Sequence, residues 1–285
     1  MKIAVLAKSG MLGSSFLKHL AGHKNWEVFA FDREELDITD SASIERNLEK
    51  ISPDFVINCS GYTAVDNAET DKDAAFKVNG YACGKLAEVC KNLGAILIHF
   101  STDYVFDGES SGGYAENDKP NPINVYGASK LEGENLIQKN SDKYYIIRTS
   151  WLFGENGKNF VNTMLELGKT KKSLNVVGDQ IGCPTYTHDL CEVAIENFIF
   201  SGGLSGGGKH PFGIYHLTNS GSTSLCDFAK KIFEFSKMDI IVNKVSSDEF
   251  VRPAKRPKCS ILKNTKIAAL QPWEEALKAF LRLGD

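Results

Sequence analysis

Apolar and polar positions along the first 150 residues alternate between two patterns. Short, mostly apolar runs, typical of strands buried on both faces, occur at 3–6, 26–31, 55–58, 95–100 and 144–148. Longer segments with apolar residues three or four apart, typical of amphipathic helices, occur at 10–19, 41–51, 73–92 and 125–138. Ser41 is the expected N-cap of the second helix, and Gly94 the residue that ends the third. This alternation predicts an α/β protein with a doubly wound parallel sheet.

The pattern is less regular after residue 151. We expect helices at 160–167, 188–200, 225–236 and 273–283, and strands at 174–177 and 214–217. We therefore expect two domains, 1–150 and 151–285, with a segment near 180–220 that returns to the first. The glycine-rich stretch 202–208 is followed by neither Lys-Ser/Thr nor a helix start, so we expect a flexible loop there rather than a phosphate-binding loop.

Composition and charge narrow the possible partners. The 285 residues include 33 basic and 36 acidic ones, a net charge of -3, which lacks the concentrated positive field of a nucleic-acid-binding protein. No apolar run reaches the roughly 18 residues of a membrane span. The seven cysteines include no C-x-x-C pair, so we expect neither a disulfide framework nor a metal site, and a reducing cytoplasm as the compartment.

The first candidate site is the turn after the first strand, with the sequence A-x-x-G-x-x-G from Ala7 to Gly13. Glycines at such a turn let backbone N–H groups and a helix N-terminus approach the pyrophosphate of a dinucleotide. Asp32 ends the second strand, where a carboxylate accepts hydrogen bonds from adenosine ribose hydroxyls. Arg33 instead suits a 2′-phosphate, which leaves NAD and NADP both open.

The second candidate site combines Tyr126, Lys130 and Thr102. Tyr126 and Lys130 are four residues apart on a predicted helix, so their side chains lie on one face. A tyrosine with a pKa of about 10 is a poor acid–base group at neutrality, and an ammonium in a dry cleft lowers that pKa. Thr102 follows the fourth strand, where ligands bind in open α/β sheets, and its hydroxyl suits a carbonyl or phenolic oxygen.

Long motifs around these residues resemble the dTDP-4-dehydrorhamnose reductase family, within the extended short-chain dehydrogenase/reductase superfamily. The most specific are S-T-D-Y-V-F-D-G at 101–108 and N-V-Y-G-A-S-K-L at 124–131. Further matching segments lie at 58–69, 132–134, 148–154, 157–160, 179–185 and 256–257. The resemblance spans nearly the whole chain and implies a Rossmann-like fold, with a dinucleotide-binding domain at 1–150 and a mainly substrate-binding domain at 151–285.

The resemblance also implies a reaction and roles for residues. The expected reaction is the reduction of dTDP-4-dehydro-β-L-rhamnose by NADPH or NADH, with Tyr126 as proton donor to O4 and Lys130 binding the nicotinamide ribose and lowering the tyrosine pKa. The sugar would contact Thr102, Asp103 and Trp151. The cofactor would contact the residues Gly10, Met11, Leu12, Asp32, Asp37, Ile38, Gly61, Tyr62 and Thr63, together with Tyr126 and Lys130.

Three positions affect what the resemblance implies. Ala7 replaces the usual first glycine, which would weaken cofactor binding if that position needs an unusual backbone angle. Some members form a dimer bridged by magnesium through a glutamate where this chain has Ser15, so magnesium is in doubt, and a monomer or homodimer is expected. Arg256, in a basic segment at 252–258, suits the nucleotide diphosphate because a guanidinium binds phosphate bidentately.

Other functions stay open at this point. Another nucleotide-linked 4-keto sugar is a possible substrate, because the less regular second half determines base and sugar. A 4,6-dehydratase is disfavoured, since an Asp-Glu pair would follow the threonine where this chain has Asp103 and Tyr104. A non-catalytic regulatory subunit related to these reductases is disfavoured by intact Tyr126 and Lys130.

Overall fold

The first half of the chain alternates strands and helices, as its hydrophobic pattern predicts. A computed structural model describes residues 1–200 and 209–282, so the loop expected at 202–208 lies outside the described residues. The strands of this half are β1 (Lys2–Leu6), β2 (Glu27–Phe31), β3 (Phe55–Asn58), β4 (Ile96–Thr102) and β5 (Tyr144–Thr149). Its helices are α1 (Met11–Leu20), α2 (Ser41–Ile51), α3 (Val65–Ala68), α4 (Lys72–Phe76), α5 (Ala82–Leu93) and α6 (Val125–Asn140).

The second half contains longer helices and mostly very short strands. Its helices are α7 (Phe160–Gly168), α8 (Thr187–Ala194), α9 (Leu225–Phe235) and α10 (Trp273–Arg282). Its strands are β6 (Leu152–Phe153), β7 (Ser173–Val177), β8 (Ile181–Gly182), β9 (Thr185–Tyr186), β10 (Gly213–His216), β11 (Asn219–Ser220), β12 (Thr223–Ser224), β13 (Ile241–Val245) and β14 (Leu270–Pro272). Within the described ranges, no helix is long and apolar enough to cross a membrane.

Six strands form one sheet in the order β10-β5-β4-β3-β1-β2, and every pairing in it is parallel. This confirms the predicted doubly wound sheet. The chain runs outward from β1 to β2 on one side and from β3 to β5 on the other, so the order reverses between β1 and β3. A crevice for ligands opens at such a point, beyond the carboxyl ends of the strands.

Helices cover both faces of this sheet, because its strands are apolar on both faces. On one face α1 and α8 bury a cluster that includes Phe16 and Leu190. On the other face α2, α5 and α6 bury a cluster that includes Leu48, Leu86 and Ile137. A separate aromatic core lies under α7, α9 and α10 in the second half. The two sheet-covering clusters hold the strand ends rigid, which lets the loops beyond them carry a site.

Two local predictions in the first half need correction. The N-cap of α2 is Asp40, whose carboxylate accepts a hydrogen bond from Ala42 N at 3.0 Å, and Ser41 is the first helical residue. The helix predicted over 73–92 is divided by a π-helical turn, Lys77–Tyr81, between α4 and α5. Such turns occur often at functional sites. Gly94 ends α5 in the left-handed conformation, with φ of +75°, as predicted.

Candidate active site

The candidate residues of β4 and α6 are held together by close backbone packing. Asn124 caps α6 by accepting from Gly127 N at 2.7 Å, and its amide donates to Lys255 O at 2.8 Å. A Cβ at Gly127 would lie 2.0 Å from Tyr104 O, so a glycine is required for α6 to reach the turn that follows β4. This contact brings Tyr126 beside Thr102.

Tyr126 is a neutral phenol in this environment. Burial raises its pKa to about 12, the hydrogen bond with the Thr102 side chain opposes that rise, and the nearby Asp103 adds to it. Lys130 is not among the causes of this shift, so the lowering of the tyrosine pKa by Lys130 stays a prediction. A protonated hydroxyl is nevertheless the state that a proton donor requires.

Asp103 places an unusual carboxyl group beside this phenol. It is 3% exposed, and its Oδ1 accepts from Thr102 Oγ1 at 3.0 Å. Burial raises the pKa of Asp103 to about 7, partly offset by hydrogen bonds from Ser260 and Thr102. Its Oδ2 is buried with no hydrogen-bond partner among the residues that the structure describes. A buried oxygen in this state is costly unless a ligand completes its hydrogen bonding.

Lys130 lies deeper in the crevice. Its Nζ donates to Phe100 O at 2.6 Å and lies 3.4 Å from Nε2 of His99. Burial lowers the pKa of Lys130 below its ordinary value. A Cβ at Gly61 would lie 3.9 Å from this Nζ, so the loop after β3 passes directly over the amine. The predicted cofactor loop and the predicted catalytic helix therefore meet at Lys130.

Sequence reasoning missed Asn79, which joins this loop to α6. Its side chain accepts from Tyr62 N at 2.8 Å and donates to Tyr62 O and to Ser129 Oγ, both at 3.0 Å. These contacts fix the loop that contains Gly61 and Thr63. Asn79 lies in the π-helical turn, and the signal for it was a polar residue on the buried side of a predicted helix.

The turn after β1 has the features of a pyrophosphate site. Helix α1 begins after Gly10 with no side chain capping it, so the first N–H groups, at Met11 and Leu12, stay available to an anion. A Cβ at Gly13 would lie 2.1 Å from Ala7 O, which explains the need for a glycine there. Ala7 itself has φ of +59°, the left-handed region that the missing glycine would occupy easily.

The residues expected at the adenosine end differ in how far their side chains are already engaged in contacts within the protein. The Asp32 carboxylate accepts from Ser9 N at 3.1 Å and from Ser9 Oγ at 2.9 Å, so it closes the turn after β1. Arg33 is largely exposed and pairs with Asp37 at 3.1 Å. The Asp37 carboxylate is also used by Thr39, and the Ile38 side chain is buried in the core. Among these four predicted residues, Arg33 has the side chain most free to meet a phosphate.

Trp151 follows β5 in a strained backbone conformation, with φ of +44°. A Cβ at Gly182 would lie 2.6 Å from its indole ring, so Gly182 provides the flat surface on which the ring lies. Trp151 O accepts from Thr185 N at 3.2 Å, which anchors it to the second half. A half-buried indole held in this way is suited to the apolar face of a sugar.

Arg256 has a partner within the chain that the sequence did not predict. Its guanidinium binds Asp66 through both nitrogens, with Nη2 at 2.9 Å from Oδ2, and Nη1 also donates to Ala254 O at 2.7 Å. This pair lowers the pKa of Asp66 to about 2. In the protein alone the guanidinium is therefore occupied and fastens the segment 252–258 over the first half, and its contact with a diphosphate stays a prediction.

A second missed feature is a buried ion pair behind the site. Arg148 of β5 binds Glu134 of α6 through Nε at 2.9 Å and Nη2 at 2.7 Å. Ser101 of β4 donates to the same carboxylate at 2.5 Å. Both charged side chains are almost completely buried. The pair ties α6 to β4 and β5 and so holds the strand end that carries Thr102.

In the part of the chain that the structure describes, no three His, Cys, Asp or Glu side chains are grouped as a metal site would require. Ser15, at the position of the bridging glutamate, interacts with Cys191. The expectation that Ser15 disfavours a magnesium-bridged dimer stays a prediction.

Comparison with known proteins agrees with the motifs. A family model described as "RmlD substrate binding domain" matches residues 1–284. The spore coat polysaccharide biosynthesis protein SpsK of Bacillus subtilis is 38% identical over 285 residues, covering 99% of this chain and 97% of that one. The dTDP-4-dehydrorhamnose reductase of Aggregatibacter actinomycetemcomitans is 40% identical, with 97% of each chain covered. The crystal structure of dTDP-4-dehydrorhamnose reductase from Bacillus anthracis in complex with NADP has a TM-score of 0.93 at 38% identity, with 99% of each chain covered.

Proposed function

The chain belongs to the RmlD substrate binding domain family, and from that premise we propose that it reduces dTDP-4-dehydro-β-L-rhamnose to dTDP-β-L-rhamnose with NADPH or NADH. The observation that carries this proposal is the grouping of Thr102, Tyr126 and Lys130 at the carboxyl end of β4, the same edge of the sheet at which the uncapped start of α1 follows β1. A proton donor and a dinucleotide turn in one crevice are what ketone reduction requires.

The two halves of the chain bind different ligands in this proposal. Residues 1–150 bind the cofactor through Gly10, Met11, Leu12 and the loop 61–63, with Arg33 at the adenosine end. The uncapped N-terminus of α1 and the glycine at 13 fit a dinucleotide, because a pyrophosphate needs exposed N–H groups and a close backbone. When bound, the reduced nicotinamide supplies the hydride that reaches sugar C4. Residues 151–285 mainly bind the sugar nucleotide.

Tyr126 delivers the proton to O4 of the sugar. At pH 7, ionising a phenol whose pKa is about 12 costs about 7 kcal/mol, so the proton leaves only as negative charge develops on O4. With the cofactor bound, the Thr102 hydroxyl and a charged Lys130 then stabilise the phenolate. The low ground-state acidity prevents loss of the proton before the ketone is reduced.

Substrate recognition combines a flat surface with unsatisfied polar groups. Trp151 packs against the sugar ring, and the free Oδ2 of Asp103 accepts a hydrogen bond from a sugar hydroxyl. Arg256 meets the diphosphate by giving up one of its two contacts with Asp66. The sugar nucleotide therefore replaces interactions that the protein makes within itself.

The test is oxidation of NADPH and NADH with a panel of dTDP- and GDP-linked 4-keto sugars. We expect turnover with dTDP-4-dehydro-β-L-rhamnose, no detectable turnover in Tyr126→Phe, and cofactor binding in that variant within a few-fold of wild type. Tyr104→Phe is the matched control, because its ring contacts Tyr126 edge to face and the same hydroxyl group is lost. Turnover with a different sugar alone would indicate another 4-keto sugar reductase. No turnover with any member of the panel would indicate a non-catalytic subunit, and full activity in Tyr126→Phe would refute the mechanism.

A further inference from the structure

A histidine that is completely buried lies behind the predicted catalytic lysine. His99 is 0% exposed, on β4 directly before Phe100. Its Nδ1 is 3.1 Å from Asn58 Nδ2, and its Nε2 is 3.4 Å from Lys130 Nζ. His99 therefore lies in a line of three polar side chains that runs from β3 to α6.

The orientation of Asn58 determines which ring nitrogen of His99 carries the proton. Asn58 Oδ1 accepts from Ser60 N at 3.0 Å, so the opposite end of the amide, the NH₂ group, faces His99. A rotated amide would place its NH₂ group against the Ser60 N–H, with two donors facing each other. Nδ1 of His99 is thus an acceptor, and the neutral ring carries its hydrogen on Nε2, directed at Lys130.

This arrangement favours an uncharged Lys130. An ammonium has three N–H donors and no acceptor, so it would oppose the Nε2–H group of His99, whereas an uncharged amine has a lone pair that accepts it. The donor to Phe100 O, at 2.6 Å, is present in either state.

The groups around Lys130 are consistent with this assignment. Burial lowers the pKa of Lys130, and Cys59, Cys83 and Glu134 oppose that effect. The Glu134 carboxylate is already bound to Arg148. Burial, the largest cause, lowers the pKa of His99 well below its ordinary value, which keeps the ring neutral even when Lys130 is uncharged.

We propose that His99 is a positioning residue of the reaction, whose Nε2–H group anchors Lys130 Nζ and favours the uncharged amine in the protein without cofactor. The proposal rests on the proposed function for the role of Lys130. The interaction itself belongs to the protein alone, so it is tested without turnover.

The first measurement is the tautomer of His99 in long-range ¹H–¹⁵N spectra of the free protein. Its signals are assigned by their loss in His99→Leu. We expect a neutral ring with hydrogen on Nε2 at every pH from about 6 to 9. A ring with hydrogen on Nδ1, or one that titrates in this range, would overturn the proposal.

The second measurement follows the ionisation of Lys130 in protein labelled with ¹³C at lysine Cε, with assignment from Lys130→Met. In Asn58→Asp the new carboxylate keeps the Ser60 contact but accepts from His99 Nδ1, so the ring hydrogen moves to Nδ1 and Nε2 becomes an acceptor. We expect Lys130 to titrate at least about one pH unit higher there, a tenfold change in its ionisation constant.

Two control variants separate the histidine from other causes. The double variant Asn58→Asp/His99→Leu keeps the new charge but lacks the ring, and we expect a clearly smaller shift of the Lys130 titration. His216→Leu removes another buried histidine and leaves the titration unchanged. An equal shift in the double variant, or a moved tautomer in Asn58→Asp with no Lys130 shift, would refute the proposal. Because every readout uses the free protein, a failure to reduce any 4-keto sugar would refute the proposed function and leave this result standing.

Discussion

Replacing Ala7 by glycine tests how the turn after β1 tolerates its unusual residue. Ala7 has φ of +59°, and its carbonyl accepts from Gly10 N at 3.1 Å within the turn. An L-residue in this region brings Cβ close to a carbonyl oxygen, whereas glycine has no Cβ. Ala7→Gly therefore removes strain from the native state without removing a hydrogen bond.

The expected gain in stability is small but has a definite sign. A left-handed alanine costs about 1–2 kcal/mol. Glycine offsets about 0.5–1 kcal/mol of the relieved strain, because its unfolded chain has more conformational freedom to lose on folding. We expect a net stabilisation of about 0.5–1 kcal/mol, which for a chain of this size raises Tm by about 1–3 °C. The strain is already present without cofactor, so the KM for NADPH should stay within about twofold.

Urea unfolding measured on Ala7→Gly and Ala42→Gly checks this reasoning. Ala42 is exposed in the first turn of α2, where glycine has no strain to relieve and should destabilise the protein by about 0.5–1 kcal/mol. The two substitutions are chemically identical and are expected to have opposite signs. If both destabilise the protein equally, the argument from the positive φ is refuted.

Three further predictions concern the contacts around the site. Glu134→Gln should lower the free energy of unfolding by about 3–5 kcal/mol, because it leaves Arg148 buried without its charge partner, and Glu134→Leu/Arg148→Met should lose clearly less in the same urea titration. The pKa of Asp66 is about 2 when paired with Arg256, so the stabilisation from this pair is complete above about pH 4 and is lost as the pH falls toward 2; wild type should lose more stability over that window than Asp66→Asn. Arg33→Ala should raise the KM for NADPH several-fold and change that for NADH by less than about twofold, since the 2′-phosphate is the group that a guanidinium distinguishes.

The main sheet could be predicted from the sequence because its signals are local. Each of β1 to β5 is built on a short, mostly apolar run, and the intervening helices have regular periodicity. The expected segment near 180–220 does contain β10, but its place beside β5 depends on contacts between distant residues. The strands β6, β8, β9, β11 and β12 are two residues long, too short for any periodicity to show.

The candidate catalytic residues could be predicted because the chemistry of each side chain suits one step of the reaction. Tyr126, Lys130 and Thr102 were found from spacing, chemistry and resemblance. The electrostatic environment could not be predicted, because the pKa of Tyr126 depends on burial, which no spacing reveals. The pairing of Arg256 with Asp66 was missed because the two residues lie 190 residues apart in sequence.

The structural residues behind the site were missed for a similar reason. Asn79 and His99 lie in segments whose patterns indicate a helix and a buried strand, and a polar residue there gives no indication of its partners. Asn79 meets Ser129, and His99 meets Lys130, only when α6 packs against β4 and the π-helical turn. Such contacts are properties of the assembled fold rather than of any local window.

The central claim is that hydride reaches sugar C4 while Tyr126 protonates O4. The most direct test is turnover of dTDP-4-dehydro-β-L-rhamnose with NADPH carrying deuterium at both C4 positions of the nicotinamide, followed by NMR of the product. The account predicts dTDP-β-L-rhamnose with deuterium at sugar C4 from wild type, and no product from Tyr126→Phe. Product without deuterium at C4, or the same labelled product formed at the wild-type rate by Tyr126→Phe, would contradict it.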